Sequence, residues 1–212
     1  MKVTFSLGES VEVGLDEAGR GCFWGPLYAG ACIWPPEDDW TDEHREWTPK
    51  IGDSKKLSEK RRVACAEAIR SLAIDWGVGS VDVDEINEKG ITWANQEAFR
   101  RANTNRVTGL EPDLLLIDGV LGLPDAGCRY ECIVDGDAEY VPIAAASILA
   151  KTYRDEWVKE WCETNGEIAT QYDLLSNKGY GTANHRKGLK EYGAHDLHRS
   201  QFIRNWVPKP TA

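Results

Sequence analysis

The sequence predicts an α/β fold in which a five-stranded mixed sheet is flanked by helices. Three segments with strand character come first in the chain, and helical segments then alternate with two further strands. Consecutive strands favour an antiparallel meander, whereas strand–helix–strand order favours parallel pairing. We therefore expect the meander at one side of the sheet.

Each predicted strand has its own signal. Residues 11–16 alternate apolar and other side chains before a glycine cluster, and residues 27–34 are small or apolar before two prolines. Residues 73–83 alternate again. Residues 114–117 are continuously apolar, which is typical of a strand buried on both faces. Residues 130–134 form the shorter fifth candidate.

Helices are predicted between and after these strands. Ser58 is a suitable N-cap for a helix that continues to about Ser71, and residues 92–102 form a second helix. The strongest prediction is a helix over residues 143–163, followed by a short helix over 182–190 and an irregular basic tail. Five residues recur on one face of the long helix: Ala146, Ala150, Tyr153, Trp157 and Trp161.

The length of 212 residues predicts one domain, with a core over about 1–165 and a basic C-terminal extension over about 166–212. No apolar run approaches the roughly 20 residues that a membrane-spanning helix needs, and the N-terminus has no signal-peptide pattern. We therefore expect a cytoplasmic protein without a membrane partner. Its six cysteines are expected to be reduced, and Cys128 and Cys132 lack the second ligand pair of a zinc site.

Net charge alone disfavours a nucleic-acid partner, because the formal charge is −10 and the pI is about 5.0. The distribution is uneven, however. Residues 50–62 carry six basic and two acidic side chains, and residues 176–212 carry seven basic and two acidic ones, whereas residues 37–46 hold six acids and one Arg. The basic segments are either solvated helix faces or contacts for a polyanion, and charge permits both.

The most informative segment is Gly-Leu-Asp-Glu-Ala-Gly-Arg-Gly at 14–21. The carboxylates of Asp16 and Glu17 end a predicted buried strand, where unpaired like charges are costly unless a cation binds them. The sequence Gly19-Arg20-Gly21 then supplies a backbone turn that a phosphate or a sugar can approach closely. The alternative is a solvated acidic loop, which is the commoner meaning of an isolated Asp-Glu pair.

Two further acids extend this candidate site. Asp118 ends the buried fourth strand, and ligands collect at the carboxyl ends of parallel strands. Asp137 precedes the long helix. Either residue alone is commonly a cap or a turn acid. Together with Asp16 and Glu17, they would form an oxygen-rich site of the kind that Mg²⁺ or Mn²⁺ prefers.

Five motifs occur in an order that resembles the bacterial ribonuclease HII family. They are the segment 14–21, Asp-Ser-Lys-Lys-Leu-Ser at 53–58, Leu-Ile-Asp-Gly at 116–119, Ala-Ala-Ala-Ser-Ile-Leu-Ala-Lys at 144–151 with Arg154-Asp155, and Asn-Lys-Gly-Tyr-Gly-Thr at 177–182. The likeness continues to His198-Arg199-Ser200 and covers nearly the whole chain. It implies the ribonuclease H-like fold with a helical and irregular C-terminal extension.

The resemblance also implies an activity and its residues. The enzyme would cut the RNA strand of RNA/DNA hybrids, and the 5′ side of ribonucleotides embedded in duplex DNA, by two-metal catalysis that leaves 5′-phosphate and 3′-hydroxyl ends. It would act as a monomer with two Mg²⁺ or Mn²⁺ ions. The implied catalytic and metal-binding residues are Asp16, Glu17, Asp118 and Asp137. The implied readers of the RNA–DNA junction are Gly19, Arg20, Gly21 and Tyr180, and the implied phosphate contacts are Lys55, Ser147, Lys151 and Lys178.

Two departures from the family pattern stand out. Asp135-Gly136-Asp137 replaces the usual Lys-Gly-Asp, so that a negative charge lies beside the fourth carboxylate and both aspartates remain candidates for its role. The acidic, Trp-containing stretch 35–49 looks like an insertion.

Two other functions remain open. One is a ribonuclease H-like DNA resolvase, which shares strand-end carboxylates; the other is a catalytically silent nucleic-acid-binding module. The Gly-Arg-Gly turn and Tyr180 disfavour the resolvase, and the intact acids disfavour the silent module.

Overall fold

A single five-stranded mixed sheet organises the fold. The computed structural model describes residues 1–6 and 10–207. Its strands are β1 (Glu12–Ala18), β2 (Leu27–Ile33), β3 (Asp75–Val81), β4 (Leu114–Asp118) and β5 (Arg129–Ile133), in the spatial order β3-β2-β1-β4-β5. β1, β2 and β3 pair antiparallel, whereas β4 is parallel to both β1 and β5. The predicted mixed sheet with a meander at one side is confirmed.

Ten α-helices surround this sheet in the described part of the chain. They are α1 (Asp42–Trp47), α2 (Glu59–Leu72), α3 (Val83–Lys89), α4 (Ile91–Thr104), α5 (Gly136–Glu139), α6 (Val141–Thr164), α7 (Gly166–Gln171), α8 (Leu174–Asn177), α9 (Ala183–Tyr192) and α10 (Ser200–Ile203). α4 covers one face of the sheet and α6 covers the other, with α2 packed outside α6. None of these helices is long and apolar enough to cross a membrane.

The long helix α6 lies unusually close to the sheet. A Cβ added to Gly14 of β1 would overlap the backbone of Pro142, and one added to Gly30 of β2 would overlap the carbonyl of Ala146. The first ten residues of α6 are accordingly buried on all sides. The glycines therefore bring the start of α6 directly beneath the carboxyl end of β1.

The C-terminal half of α6 belongs to a different apolar cluster. There Val158 and Cys162 pack with Trp24, which follows the Gly19–Gly21 turn, and with Leu189 of α9 and Ile203 of α10. Residues after 165 thus fold back against the loop between β1 and β2. The predicted boundary between core and extension near 165 stays a prediction.

Several local predictions needed correction. β1 continues to Ala18, two residues beyond the predicted end at Asp16, so Glu17 also lies within the strand. The third strand ends at Val81, because Asp82 accepts the Glu85 N–H as the N-cap of α3. The tail predicted as irregular contains α10, and the stretch 35–49 contains α1. Lys209, one of the basic residues of the 176–212 segment, lies outside the described residues.

Candidate active site

Three of the four predicted carboxylates lie at the carboxyl ends of two neighbouring parallel strands. The pairing of Leu15 in β1 with Ile117 in β4 places Asp16 and Asp118 side by side. Glu17, one residue further along β1, faces α4, where Asn95 is its polar neighbour, whereas Asp16 faces α6, where Ser147 is its polar neighbour. Asp118 is close enough to repel both acids electrostatically.

Asp16 is the most deeply enclosed of these acids. Its side chain is 4% exposed, and its Oδ1 accepts the backbone N–H of Glu17 at 2.6 Å. Burial raises the pKa of Asp16 well above its usual value, and the charges of Glu17 and Asp118 raise it further, while the Ser147 hydroxyl acts in the opposite direction. This position is therefore short of positive charge.

Ser147 connects Asp16 to a segment far away in sequence. The Ser147 Oγ lies 3.0 Å from the Oγ of Ser54, and both side chains are buried. Ser54 belongs to the Asp-Ser-Lys-Lys motif, so this bond fixes Lys55 near the site. The Lys55 side chain is exposed, and its charge lowers the pKa of Glu17 and of Asp137.

Asn95 of α4 borders the opposite side of the site and was not anticipated from the sequence. Burial raises the pKa of Glu17, and the neighbouring Arg20 and Asn95 counteract this rise. Asn95 is fully buried, yet its Nδ2 and its Oδ1 both lack a hydrogen-bond partner in the described structure. A buried amide in this state is available to a reoriented Glu17 carboxylate.

Asp118 is held by the turn that carries Asp137. Its Oδ1 accepts the backbone N–H of Gly136 at 2.8 Å, at the start of α5. Asp137 is buried, and its pKa is raised by burial first and by the charge of Asp118 second. Asp135, with φ at 55°, is exposed. The geometry therefore favours Asp137 over Asp135 as the fourth carboxylate of the site.

The donor set suits a hard divalent cation. Carboxylate oxygens are the ligands that Mg²⁺ and Mn²⁺ prefer, and three of these four acids have a raised pKa, each of them partly because of the charge of Asp118. As they stand, no three His, Cys, Asp or Glu side chains within residues 1–6 and 10–207 lie close enough to hold one ion together. The chemistry of the residues fits a metal, and the side chains must converge further to bind it.

The predicted Gly19-Arg20-Gly21 turn follows β1 directly and borders the carboxylates. Gly19 has φ at +88°, and the Cys22 N–H donates to the Gly19 carbonyl at 3.2 Å to close the turn. Gly19 is buried, whereas Arg20 and Gly21 are exposed. The backbone N–H groups of Arg20 and Gly21 have no partner among the described residues.

Tyr180 lies near this turn although it is 159 positions from Gly21 in the sequence. Two backbone bonds join the segments: the N–H groups of Phe23 and Trp24 both donate to the Gly179 carbonyl, at 2.8 and 3.3 Å. The Tyr180 side chain is 40% exposed, and burial of its hydroxyl raises its pKa to about 12. The hydroxyl is therefore protonated at neutral pH and can donate a hydrogen bond.

The remaining residues that were predicted to contact phosphate differ in their present partners and burial. Lys151 Nζ pairs with Asp155 Oδ1 at 2.6 Å, and Asp155 also pairs with the buried Arg62 at 3.0 Å. Lys178 Nζ donates to the Leu175 carbonyl at 2.8 Å. Ser147 is buried beneath Asp16. The role of all these residues in phosphate contact stays a prediction.

Two buried arginines complete the site and were also not singled out. The Arg154 guanidinium donates to the carbonyls of Pro26, Lys178 and Trp24, and the Arg199 guanidinium donates to the carbonyls of the Gly-Arg-Gly turn. Both residues occur inside or beside motifs of the sequence, at Arg154-Asp155 and His198-Arg199-Ser200. Their positions in those motifs could have identified both arginines from the sequence. Their bonds to buried backbone carbonyls could not have been predicted in this way.

Known proteins resemble this chain in sequence and in fold. The family model for ribonuclease HII matches residues 13–205. A ribonuclease HII of Clostridium botulinum (strain Loch Maree / Type A3) is 39% identical over 194 residues, which are 91% of this chain and 67% of that protein. The structure of ribonuclease H2 from Pyrococcus horikoshii OT3 aligns with a TM-score of 0.72 at 24% identity, covering 92% of this chain and 95% of the other.

A more distant structure, Bst-RNase HIII in complex with Mn²⁺, aligns with a TM-score of 0.61 at 20% identity over 86% of this chain and 70% of the other. At these sequence identities the two structures are evidence about the fold alone, and they confirm the predicted ribonuclease H-like architecture. The family match spans all four acids, the Gly-Arg-Gly turn and Tyr180. The chain therefore belongs to the ribonuclease HII family.

Proposed function

We propose that this protein is an endonuclease that hydrolyses the RNA strand of RNA/DNA hybrids. Membership of the ribonuclease HII family supports this activity. The observation that carries the proposal is the placement of Asp16, Glu17 and Asp118 at the carboxyl ends of two parallel strands, beside a turn whose Arg20 and Gly21 N–H groups have no partner among the described residues. Once cations neutralise the acids, these acids and the neighbouring turn suit a polyanion whose sugar carries a hydroxyl group.

The finer proposal is cleavage on the 5′ side of ribonucleotides embedded in duplex DNA, with 5′-phosphate and 3′-hydroxyl products. The 2′-hydroxyl is the group that marks a lone ribonucleotide in such a duplex. The N–H groups of Arg20 and Gly21 and the Tyr180 hydroxyl are the donors that would contact it. The half-exposed Tyr180 ring would stack on the following deoxyribose.

The chain contributes anchored carboxylates to the chemistry. When bound, two divalent ions, Mg²⁺ or Mn²⁺, supply the Lewis acidity and the activated water that phosphodiester hydrolysis needs. Asp16 and Asp118 each use one oxygen to accept a backbone N–H, which orients the other oxygen. Asp137 and Glu17 complete the ligand set, with Asn95 beside Glu17. This arrangement requires no nucleophilic Ser or Cys.

Phosphate binding would come from the basic segments despite the net acidity. Lys55 is exposed next to Glu17 and Asp137, and Lys151 and Lys178 lie on the side of Tyr180. Each phosphate contact releases condensed counterions, so hybrid binding should weaken steeply as salt rises. A dissociation constant that does not change with salt would remove these lysines from the substrate surface.

The test is cleavage of a DNA duplex that contains one ribonucleotide, with an all-DNA duplex of the same sequence as the control. We expect one cut, 5′ of the ribonucleotide, that requires Mg²⁺ or Mn²⁺ and is abolished by EDTA. Asp118→Asn should lose orders of magnitude in rate because it removes a metal ligand. Asp125→Asn is the matched control, since Asp125 is an exposed acid that forms its ion pair with Arg100.

The other two functions predict different outcomes. Cleavage of a four-way DNA junction without cleavage of either the hybrid or the single-ribonucleotide duplex would support a resolvase. Binding without any cleavage in Mg²⁺ or Mn²⁺ would support a silent binding module. Cleavage by Asp118→Asn at the wild-type rate in saturating Mg²⁺ would place the active site elsewhere.

A further inference from the structure

Arg199 is buried in an unusual setting. Its side chain is 0% exposed, and no described Asp or Glu forms an ion pair with it. Burial lowers the pKa of Arg199 to about 10, so the guanidinium remains charged at neutral pH. A buried charge without a counterion is costly, and the cost is offset only by strong hydrogen bonds to its donors.

The bonds that hold Arg199 lead to the Gly-Arg-Gly turn. Its Nη1 donates to the Gly19 carbonyl at 2.7 Å and to the Arg20 carbonyl at 3.0 Å. Its Nε and Nη2 donate to the Gly25 carbonyl at 3.0 and 2.8 Å. A single side chain, 180 positions from Gly19, thus draws two successive carbonyls of the turn toward the protein interior.

The direction of these carbonyls fixes the direction of the neighbouring N–H groups. In a planar trans peptide, the carbonyl oxygen and the following N–H point to opposite sides. If the Gly19 and Arg20 carbonyls point inward to Arg199, the N–H groups of Arg20 and Gly21 point outward. Both residues are exposed, and neither N–H has a partner in the described structure.

A series of hydrogen-bonded histidines begins next to Arg199 in the sequence and ends at the backbone of Tyr180. His198 Nδ1 accepts the His195 N–H at 2.8 Å, and His198 Nε2 lies 2.9 Å from His185 Nε2. His185 Nδ1 in turn lies 3.0 Å from the Tyr180 carbonyl. The carbonyl can only accept, so His185 carries its proton on Nδ1 and His198 carries its proton on Nε2. Residues 195–199 therefore hold the Gly-Arg-Gly turn and Tyr180 together.

We propose that Arg199 is a positioning residue for ribose recognition: by holding the Gly19 and Arg20 carbonyls inward, it presents the Arg20 and Gly21 N–H groups to the 2′-hydroxyl and adjacent phosphate of the ribonucleotide. This inference rests on the proposed function. It makes the C-terminal segment part of the sugar-reading apparatus, although Arg199 itself does not touch the substrate.

Arg199→Lys is the decisive variant, because Lys keeps the charge but lacks the planar fork that reaches three carbonyls at once. We expect kcat/KM on the single-ribonucleotide duplex to fall by about 10- to 100-fold, the loss of one or two such hydrogen bonds. On a long RNA/DNA hybrid, where further ribose contacts exist, the fall should be severalfold smaller. Arg106→Lys is the matched control: Arg106 is also buried but pairs with Asp75 at the opposite end of the sheet, and both rates should change equally or not at all.

A second readout follows the turn directly. In ¹⁵N-labelled Asp118→Asn protein, which retains Arg199, the amide signals of Arg20 and Gly21 should shift when the single-ribonucleotide duplex is added and not when the all-DNA duplex is added. Adding Arg199→Lys to this background should remove the difference between the two duplexes. Mutation of a residue that only stabilises the fold would lower the melting temperature and leave that difference intact.

The outcomes separate the inference from the function on which it rests. If the wild type cleaves neither the single-ribonucleotide duplex nor the hybrid, the proposed function is wrong. Suppose instead that the wild type cleaves both substrates. The inference about Arg199 is then wrong if folded Arg199→Lys loses kcat/KM equally on both substrates, or if its amide signals still differ between the two duplexes as they do with Arg199 present. Should Arg199→Lys fail to fold, the Asp118→Asn amide signals decide: equal shifts with both duplexes would refute it.

Discussion

Replacement of Gly19 by Ala is expected to destabilise the protein by a calculable amount. Gly19 has φ at +88°, a conformation that costs a residue with a Cβ about 1–3 kcal/mol. The added Cβ would also overlap Arg154 Nε and lie 2.5 Å from its Cδ and 2.8 Å from its Cζ. Overpacking of this kind costs about 1–3 kcal/mol.

The combined cost is therefore about 2–6 kcal/mol. For a chain of this length each kcal/mol lowers the melting temperature by about 2–4 °C, so we expect a fall of at least about 4 °C. Gly21→Ala is the internal control. No atom lies within 4 Å of the position of its added Cβ, and its φ is not positive, so its stability should stay within about 0.5 kcal/mol of the wild type.

Calorimetry or urea unfolding of the two variants provides the measurement. If the overlap with Arg154 is part of the cause, Gly19→Ala should cost less in an Arg154→Lys background than in the wild type, because the two sites are in contact. Equal melting temperatures for Gly19→Ala and Gly21→Ala would refute the reasoning. An additive double mutant would assign the whole cost to the backbone angle.

Three further predictions concern charge, pH and substrate. In the absence of metal, Asp118→Asn should melt at or above the wild-type temperature, because it removes repulsion that raises the pKa of Asp16 and Asp137. Added Mg²⁺ should stabilise this variant less than it stabilises the wild type. A clear drop in the melting temperature of the metal-free variant would contradict this expectation. Burial lowers the pKa of His198 from 6.5 to about 3, so the unfolded chain binds a proton at a higher pH than the folded protein does. The stability that His198 contributes is therefore complete above pH 6.5 and declines as the pH falls toward 3, by up to about 1.4 kcal/mol per pH unit. His198→Gln should flatten this slope in urea titrations. Tyr180→Ala should lose far more activity on a single-ribonucleotide duplex than on a long hybrid, with Tyr180→Phe between it and the wild type; equal losses on both substrates would mean that Tyr180 does not read the junction.

The outline of the fold follows from local sequence pattern. Alternation, the apolar run 114–117 and the Pro- and Gly-bounded segments predicted all five strands to within a few residues. For β1 to β4 the reason is that burial of one or both faces leaves a direct trace in the order of side chains, whereas β5 is largely exposed. The short helices α3, α7, α8 and α10 left a weaker trace. They are one or two turns long, and their stability depends on tertiary packing rather than on propensity.

The sequence by itself determined the family, and it predicted the four acids and the turn that follows two of them, because these residues are consecutive or lie next to recognisable elements. Only the tertiary structure decided which groups surround them. The unpaired amide of Asn95 beside Glu17, the link from Ser54 through Ser147 to Asp16, and the inward carbonyls held by Arg199 each join residues that are 78 or more positions apart. No periodicity or spacing encodes such contacts, since they depend on chain crossings set by the sheet order β3-β2-β1-β4-β5 and on the close approach of α6 at Gly14 and Gly30.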